Sequence, residues 1–217
     1  MPREHEITAL KIVGAGGRLD VYVDGERAWR LAGTLAEKLG LAVGRRLSPD
    51  ELAELHQTVA LQEAKTAGVR LLGRRARTER GLRERLLAKG LPEEAASEAT
   101  AWLVARGYVD DEAYARDRAV SLRQRRLGSR AIEAKLVQEG VSPGLARAVL
   151  ASQRDPEAEA EQVAELAAQL NDRWGAQEWP RRRQRIYQYL ARRGFPAAEV
   201  MSALEGLDAR DESPTGD

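Results

Sequence analysis

The sequence predicts a mainly α fold: an elongated array of three tandem three-helix repeats with a small N-terminal β-hairpin region. Three observations carry this. Alternating apolar and polar residues flank an Asp-Gly pair at positions 24 and 25. Beyond residue 31 the apolar spacing turns helical and stays helical. Gly90, Gly140 and Gly194, spaced by 50 and 54 residues, anchor one apolar pattern that occurs three times.

The first strand is the apolar-rich run 7–13, punctuated at its end by Gly14, Gly16 and Gly17. Leu19, Val21 and Val23 then alternate with Asp20 and Tyr22, and Asp24-Gly25 supplies a two-residue hairpin turn. Such a turn pairs Val23 with Glu26 and Val21 with Ala28, and puts Tyr22 and Trp29 together on the opposite face. A short helix fits 34–39. Ser48-Pro49-Asp50-Glu51 is a helix start, with a cap, a proline at the first position and acids in the first turn. From there to Gly206 no strand is expected, and Gly68 and Gly73 weaken the long helix around them.

The repeat is a helix, a glycine stop and another helix. Leu82, Ile132 and Ile186 stand eight residues before the three glycines, and Leu86, Leu136 and Leu190 stand four before. These two positions share one helical face. Leu91, Val141 and Phe195 follow the glycines and are assigned to fold back on the last turn, and Pro92, Pro143 and Pro196 introduce the next helix. Another amphipathic segment precedes each pair, so the unit is three helices. The implied organisation is 1–59 for the hairpin and short helices, 60–109, 110–155 and 156–207 for the repeats, and 208–217 for a disordered acidic tail.

Composition narrows the function. The chain has no cysteine, which removes disulfides, thiol catalysis and cysteine-ligated metals. No apolar signal-like segment opens it and no run approaches membrane-spanning length, so a cytoplasmic protein with no membrane association is expected. His5 and His56 are too few and too far apart for a triad or a metal pair. Asp110-Asp111 reads as a helix cap rather than a magnesium site. The 14–17 segment matches no phosphate-binding loop. Neither an enzyme nor a cofactor is expected.

Charge is segregated. The chain carries 35 Lys+Arg against 34 Asp+Glu, yet the segments 70–89, 116–135 and 180–194 are strongly basic and the acids gather between them. Part of this pattern complements helix dipoles. The functional reading is an arginine cluster in each repeat for an extended anionic or acidic partner, because the guanidinium fork suits phosphate and carboxylate. The candidates are Arg74, Arg75 and Arg77 in the first repeat, Arg123, Arg125 and Arg126 in the second, and Arg182, Arg183 and Arg185 in the third. Tyr114 and Leu136 are assigned to the core. Aromatics form 5% of the chain, so base-specific readout or single-strand stacking finds little support.

The segment GYVDDEAYARDRAVSLRQRRLGSRAIEAKLVQEGV, 107–141, resembles the central signature of the bacterial recombination regulator family RecX. The matching features are an aromatic followed by Asp-Asp, the Tyr114-Ala115 pair, arginines before Gly128, then Ile132, Leu136, Gly140 and Val141. The first repeat is looser: Thr78, Gly81 and Leu82 stand where the family shows Ser-x-x-Glu-Leu, keeping the hydroxyl cap and the leucine but losing the acid. The resemblance implies a cofactor-free modulator of the RecA recombinase, and a monomer is expected. Such a protein lies along the RecA–DNA filament and inhibits ATP hydrolysis, strand exchange and coprotease activity. The alternative from the arginines alone is a helical regulator that binds double-stranded DNA directly.

Overall fold

The computed structural model describes residues 4–14 and 16–211. The chain divides into two compact units, Met1–Val109 and Asp110–Asp217. The first unit opens with β1 (His5–Val13), β2 (Arg18–Val23), β3 (Glu26–Ala32), a short α1 (Gly33–Lys38) and β4 (Arg46–Leu47). These strands form one antiparallel sheet in the order β3-β2-β1-β4. Then come α2 (Pro49–Leu72), α3 (Glu79–Leu87) and α4 (Glu93–Val104).

The hairpin forms at Asp24-Gly25, both in the left-handed region, and Val23 pairs with Glu26 as expected. Beyond that pair the register differs. A bulge between Val21 and Tyr22 sets Val21 opposite Trp29 rather than Ala28. One extra residue on β3 turns its later side chains over, so Trp29 and Leu31 join Val21 and Ile7 in the core instead of facing away with Tyr22. The two-residue β4 is not among the elements the sequence predicts, because a strand that short has no alternation to read. It lies against His5 and Glu6, and the backbone of Ile7 bonds Arg45 and Gly44 beside it.

Ser48 and Glu51 form a reciprocal capping box that starts α2. This helix serves two cores. Leu55 and Val59 pack on the sheet, while Ala64 and Leu71 pack with Leu82 and Leu86 of α3 and Ala99 and Leu103 of α4. It is continuous through residues 59 and 60, where the sequence places a domain boundary. Gly68 lies where α4 approaches, and a Cβ there would stand 2.5 Å from Leu103 Cδ1.

The second unit contains α5 (Asp111–Gln124), α6 (Ser129–Gln138) and α7 (Pro143–Ser152), then α8 (Pro156–Arg173), α9 (Trp179–Arg192) and α10 (Ala197–Asp211). The glycine register holds in all three repeats. Gly90, Gly140 and Gly194 have φ of 82°, 108° and 83°. In each case the next amide donates back to the leucine four residues before the glycine: Leu91 to Leu86, Val141 to Leu136 and Phe195 to Leu190. Ile132, Leu136, Ile186 and Leu190 are fully buried in their respective cores. α10 continues to Asp211, past position 208 where the sequence places the start of a disordered tail, because Leu204 and Leu207 still pack on α8 and α9. The rest of that tail, 212–217, lies outside the described residues.

Within the second unit, α9 ends directly on the start of α6. The Gly128 amide donates to the Arg193 carbonyl at 2.9 Å and the Arg130 amide to the Gly194 carbonyl at 3.1 Å. The free carbonyls of one helix terminus thereby satisfy the free amides of another, positive dipole end to negative. Such backbone contact requires both glycines: a Cβ on Gly128 would lie 2.4 Å from the Gly194 carbonyl carbon, and one on Gly194 would lie 2.3 Å from the Ala131 nitrogen.

Candidate binding surface

The arginine clusters occupy related places in the first two repeats. Arg74, Arg75 and Arg77 lie on the link from α2 to α3, ahead of the cap Thr78, whose hydroxyl accepts from the Gly81 amide. Arg123, Arg125 and Arg126 lie at the end of α5 and on the link to α6, ahead of the cap Gly128. The third repeat departs. Its equivalent link, 174–178, holds no arginine, and Arg182, Arg183 and Arg185 sit instead in the first turns of α9. They are separated from the α9–α6 joint by roughly 15 Å of helix at 1.5 Å per residue. The structure therefore does not merge the second and third clusters.

The nine arginines differ in how they are held. Arg74, Arg75 and Arg125 are exposed, and among the described residues none of the three has a side-chain ion pair. Arg123 is half-buried and donates through Nη1 to Gln153 Oε1 at 3.0 Å, with its Nη2 enclosed. Arg126 donates to Gln169 Oε1 at 2.7 Å. Arg182 caps the α8–α9 link by donating to the Gly175 and Gln177 carbonyls, each at 3.1 Å. Arg183 pairs with Asp208, and Arg185 lies 4.3 Å from the centroid of Trp174. Arg77 is half-buried with its Nε enclosed. The available charge is thus concentrated in Arg74, Arg75 and Arg125, with Arg185 presenting its outer face.

Arg126 has φ of 59°, a left-handed conformation that a non-glycine residue adopts at a cost of about 1–2 kcal/mol. It terminates α5 as the left-handed Gly90, Gly107, Gly140 and Gly194 terminate α3, α4, α6 and α9. Arg193 supports the turn by donating to the Arg125 carbonyl at 2.8 Å and the Arg126 carbonyl at 3.2 Å. Sequence reasoning passed over Arg193, since nothing in a linear pattern shows that it reaches back across 67 residues. Behind this turn, Arg118 grips Glu139 with both Nε and Nη2, and the Tyr114 hydroxyl donates to the same carboxylate at 2.9 Å. The Arg118 hydrogen bond, against the opposing effect of burial, holds the Glu139 carboxyl below its ordinary range. Leu136 is core, as expected; Tyr114 is half-buried and adds this polar contact.

The other candidates resolve as structure. Asp110 Oδ1 accepts from the Glu112 and Ala113 amides, each at 2.9 Å, and so caps α5. His5 pairs with Asp24, and His56 accepts from the Trp29 indole. Among the described residues no group of three or more His, Asp or Glu is placed to hold a metal ion. No described helix is long and apolar enough to cross a membrane.

Comparison with known proteins gives one family across the chain. Residues 64–103 match the first three-helix domain of RecX, 110–150 the second and 157–204 the third. A regulatory protein RecX of Caldanaerobacter subterraneus subsp. tengcongensis is 28% identical over 187 residues, covering 86% of this chain and 92% of the relative. One from Leuconostoc citreum is 27% identical over 203 residues, covering 93% and 76%. A crystal structure of regulatory protein RecX superposes with a TM-score of 0.70 at 25% identity, covering 93% of this chain and 99% of its own. The crystal structure of RecX from Lactobacillus salivarius shares the fold at a TM-score of 0.63 and 20% identity, covering 69% of this chain and 97% of its own.

Proposed function

Because the chain belongs to the RecX family, whose members are regulatory proteins rather than enzymes, we propose that it is a negative modulator of the RecA recombinase in the cytoplasm. In this reading it binds as a monomer along the RecA–DNA filament and inhibits ATP hydrolysis, strand exchange and coprotease activity, with no cofactor. The observation that supports this best is the succession of three-helix repeats that each present arginines, on the first helix link in the first two and in the first turns of α9 in the third. Linked modules turn weak contacts into avid ones, because each later contact is intramolecular. They favour a partner that is itself a regular array. Arg74, Arg75, Arg125 and Arg185 are the first choices for contact with phosphates or with acidic protein side chains. Arg77, Arg123, Arg126, Arg182 and Arg183 act by shaping the links that present them.

The test is the DNA-dependent ATPase of RecA with increasing amounts of the protein. Inhibition well below one molecule per RecA subunit is expected, and its absence there refutes the reading. Replacing Arg74, Arg75 and Arg125 by Ala should weaken inhibition about tenfold, the summed effect of three modest charged contacts, with helicity unchanged. The same exposed arginines favour the alternative, direct binding of double-stranded DNA. Tight, salt-sensitive binding to bare duplex without preference for the filament selects that alternative.

A further inference from the structure

We infer that the first repeat carries a stacking site for an unpaired base of a single-stranded nucleic acid, formed by Tyr108 and Trp102 and flanked by Lys65 and Arg106. The site arises from the turn that ends α4. Gly107 takes φ of 72° and the Tyr108 amide donates to the Leu103 carbonyl at 3.0 Å. The same kind of glycine stop recurs at positions 90, 140 and 194, where the residue after the glycine is packed against or buried in its repeat core. Here the following residue is turned outward: Tyr108 is 58% exposed, while Val109 behind it fills the core position. An outward aromatic is a poor choice for stability alone, since Val109 already closes the core.

What surrounds the ring points to the ligand. Trp102 lies nearly parallel to Tyr108, with planes 18° apart and centroids at 6.5 Å. The Arg106 guanidinium stands 4.0 Å from the Trp102 centroid, and the Lys65 ammonium, projecting from α2, stands at 5.2 Å. Among the described residues neither cation forms an ion pair with a carboxylate. The aromatic group of the third repeat is different. There Trp179 donates to Asp208 at 2.7 Å and Arg183 pairs with the same carboxylate, while Trp174 and Tyr189 meet edge-on, with planes 76° apart, and form no parallel pair.

The exposed Tyr108 face, backed by Trp102 and beside two cations that pair with no carboxylate, matches the needs of a nucleotide, which offers a flat base and an anionic phosphate. An acidic peptide would satisfy the cations and leave the Tyr108 face uncovered. A duplex would satisfy the cations too, but its base faces are already stacked on one another. The site therefore selects an unpaired strand. It is built from α2, α4 and the turn after α4, uses none of the nine arginines, and does not rest on the recombinase reading.

The experiment uses the full chain, without RecA, against a fluorescent oligo(dT) and a blunt duplex of equal length at several salt concentrations. Oligo(dT) should quench the tryptophan fluorescence of the parent protein, and absence of quenching overturns the proposal. Tyr108→Leu, which keeps apolar cover but removes the ring, should weaken oligo(dT) binding roughly 5- to 150-fold and leave duplex binding unchanged, with Tyr108→Phe restoring it. Replacing Lys65 and Arg106 together by Ala should reduce the salt slope of oligo(dT) binding by up to about 1.4. Undiminished oligo(dT) binding by Tyr108→Leu, or equal loss on single strand and duplex, refutes the site. If that variant keeps oligo(dT) binding but loses inhibition of RecA, the aromatic pair is a protein contact and the proposal fails while the regulatory reading stands.

Discussion

Replacing Gly128 by alanine isolates the joint between the second and third repeats. Gly128 has φ −78° and ψ 163°, a conformation alanine adopts without strain, so any cost comes from contact alone. The added Cβ would lie 2.4 Å from both the Gly194 carbonyl carbon and the Phe195 nitrogen. Ordinary contact needs about 3.5 Å, so the two backbones must separate by about 1 Å. That movement stretches the Gly128–Arg193 and Arg130–Gly194 hydrogen bonds, now 2.9 and 3.1 Å, beyond useful length. Two backbone hydrogen bonds at about 0.5–1.5 kcal/mol each give a loss of about 1–3 kcal/mol. The smaller chain entropy of alanine in the unfolded state offsets about 0.4–1 kcal/mol of this. Urea unfolding should therefore show a net destabilisation of up to about 2.5 kcal/mol, and hydrogen exchange should show faster exchange at the Gly128 and Arg130 amides. Gly144→Ala is the control: it lies exposed in α7, a Cβ there meets nothing within 4 Å, and the change should be neutral or mildly stabilising. A Gly128→Ala protein as stable as the parent, with both amides still protected, refutes the joint.

Two further perturbations bear on the second repeat. Arg126→Gly removes a left-handed arginine and with it about 1 kcal/mol of conformational cost, while it gives up the Gln169 contact. Thermal unfolding should move little, and a loss of RecA inhibition would then identify the side chain itself as functional. Glu139→Gln leaves Arg118 half-buried without its charge partner and should destabilise the protein by about 2 kcal/mol near neutral pH. The Glu139 carboxyl titrates lower in the folded state than in the unfolded chain. Its contribution is thus complete above the ordinary carboxylate range and disappears as pH falls through the folded value. The parent should lose stability more steeply than the variant below about pH 4.3, the ordinary glutamate value; parallel acid limbs refute the assignment.

The repeat was legible because its signals are local. A glycine at a fixed distance from two buried apolar residues encodes a helix end through backbone geometry, and that rule needs no partner from elsewhere. The hairpin turn was legible for the same reason. Its register was not, since the bulge at Val21 and Tyr22 breaks the alternation that a regular hairpin implies, and Trp29 reaches the core only through it. The arginine clusters show the limit most clearly. Sequence marks where positive charge accumulates, but the Gln153, Gln169 and Asp208 contacts that hold Arg123, Arg126 and Arg183 come from 25 to 43 residues away. Composition likewise counts few aromatics and so argues against stacking, although folding places two of them side by side with Lys65 and Arg106.

The long helix α2 has a consequence for how this chain tolerates change. At 100° per residue, the Leu55–Val59 pair and the Ala64, Gly68 and Leu71 group point about 165° apart around the axis. The sheet and the first repeat are therefore keyed to one shaft by angle as well as by distance. Deleting or inserting a single residue between Val59 and Ala64 would rotate one body by about 100° against the other, while every local contact on either side stayed available. Length variation is harmless in an open loop, but here it would act as a change of phase, and natural variants of this segment should come in steps that restore the turn.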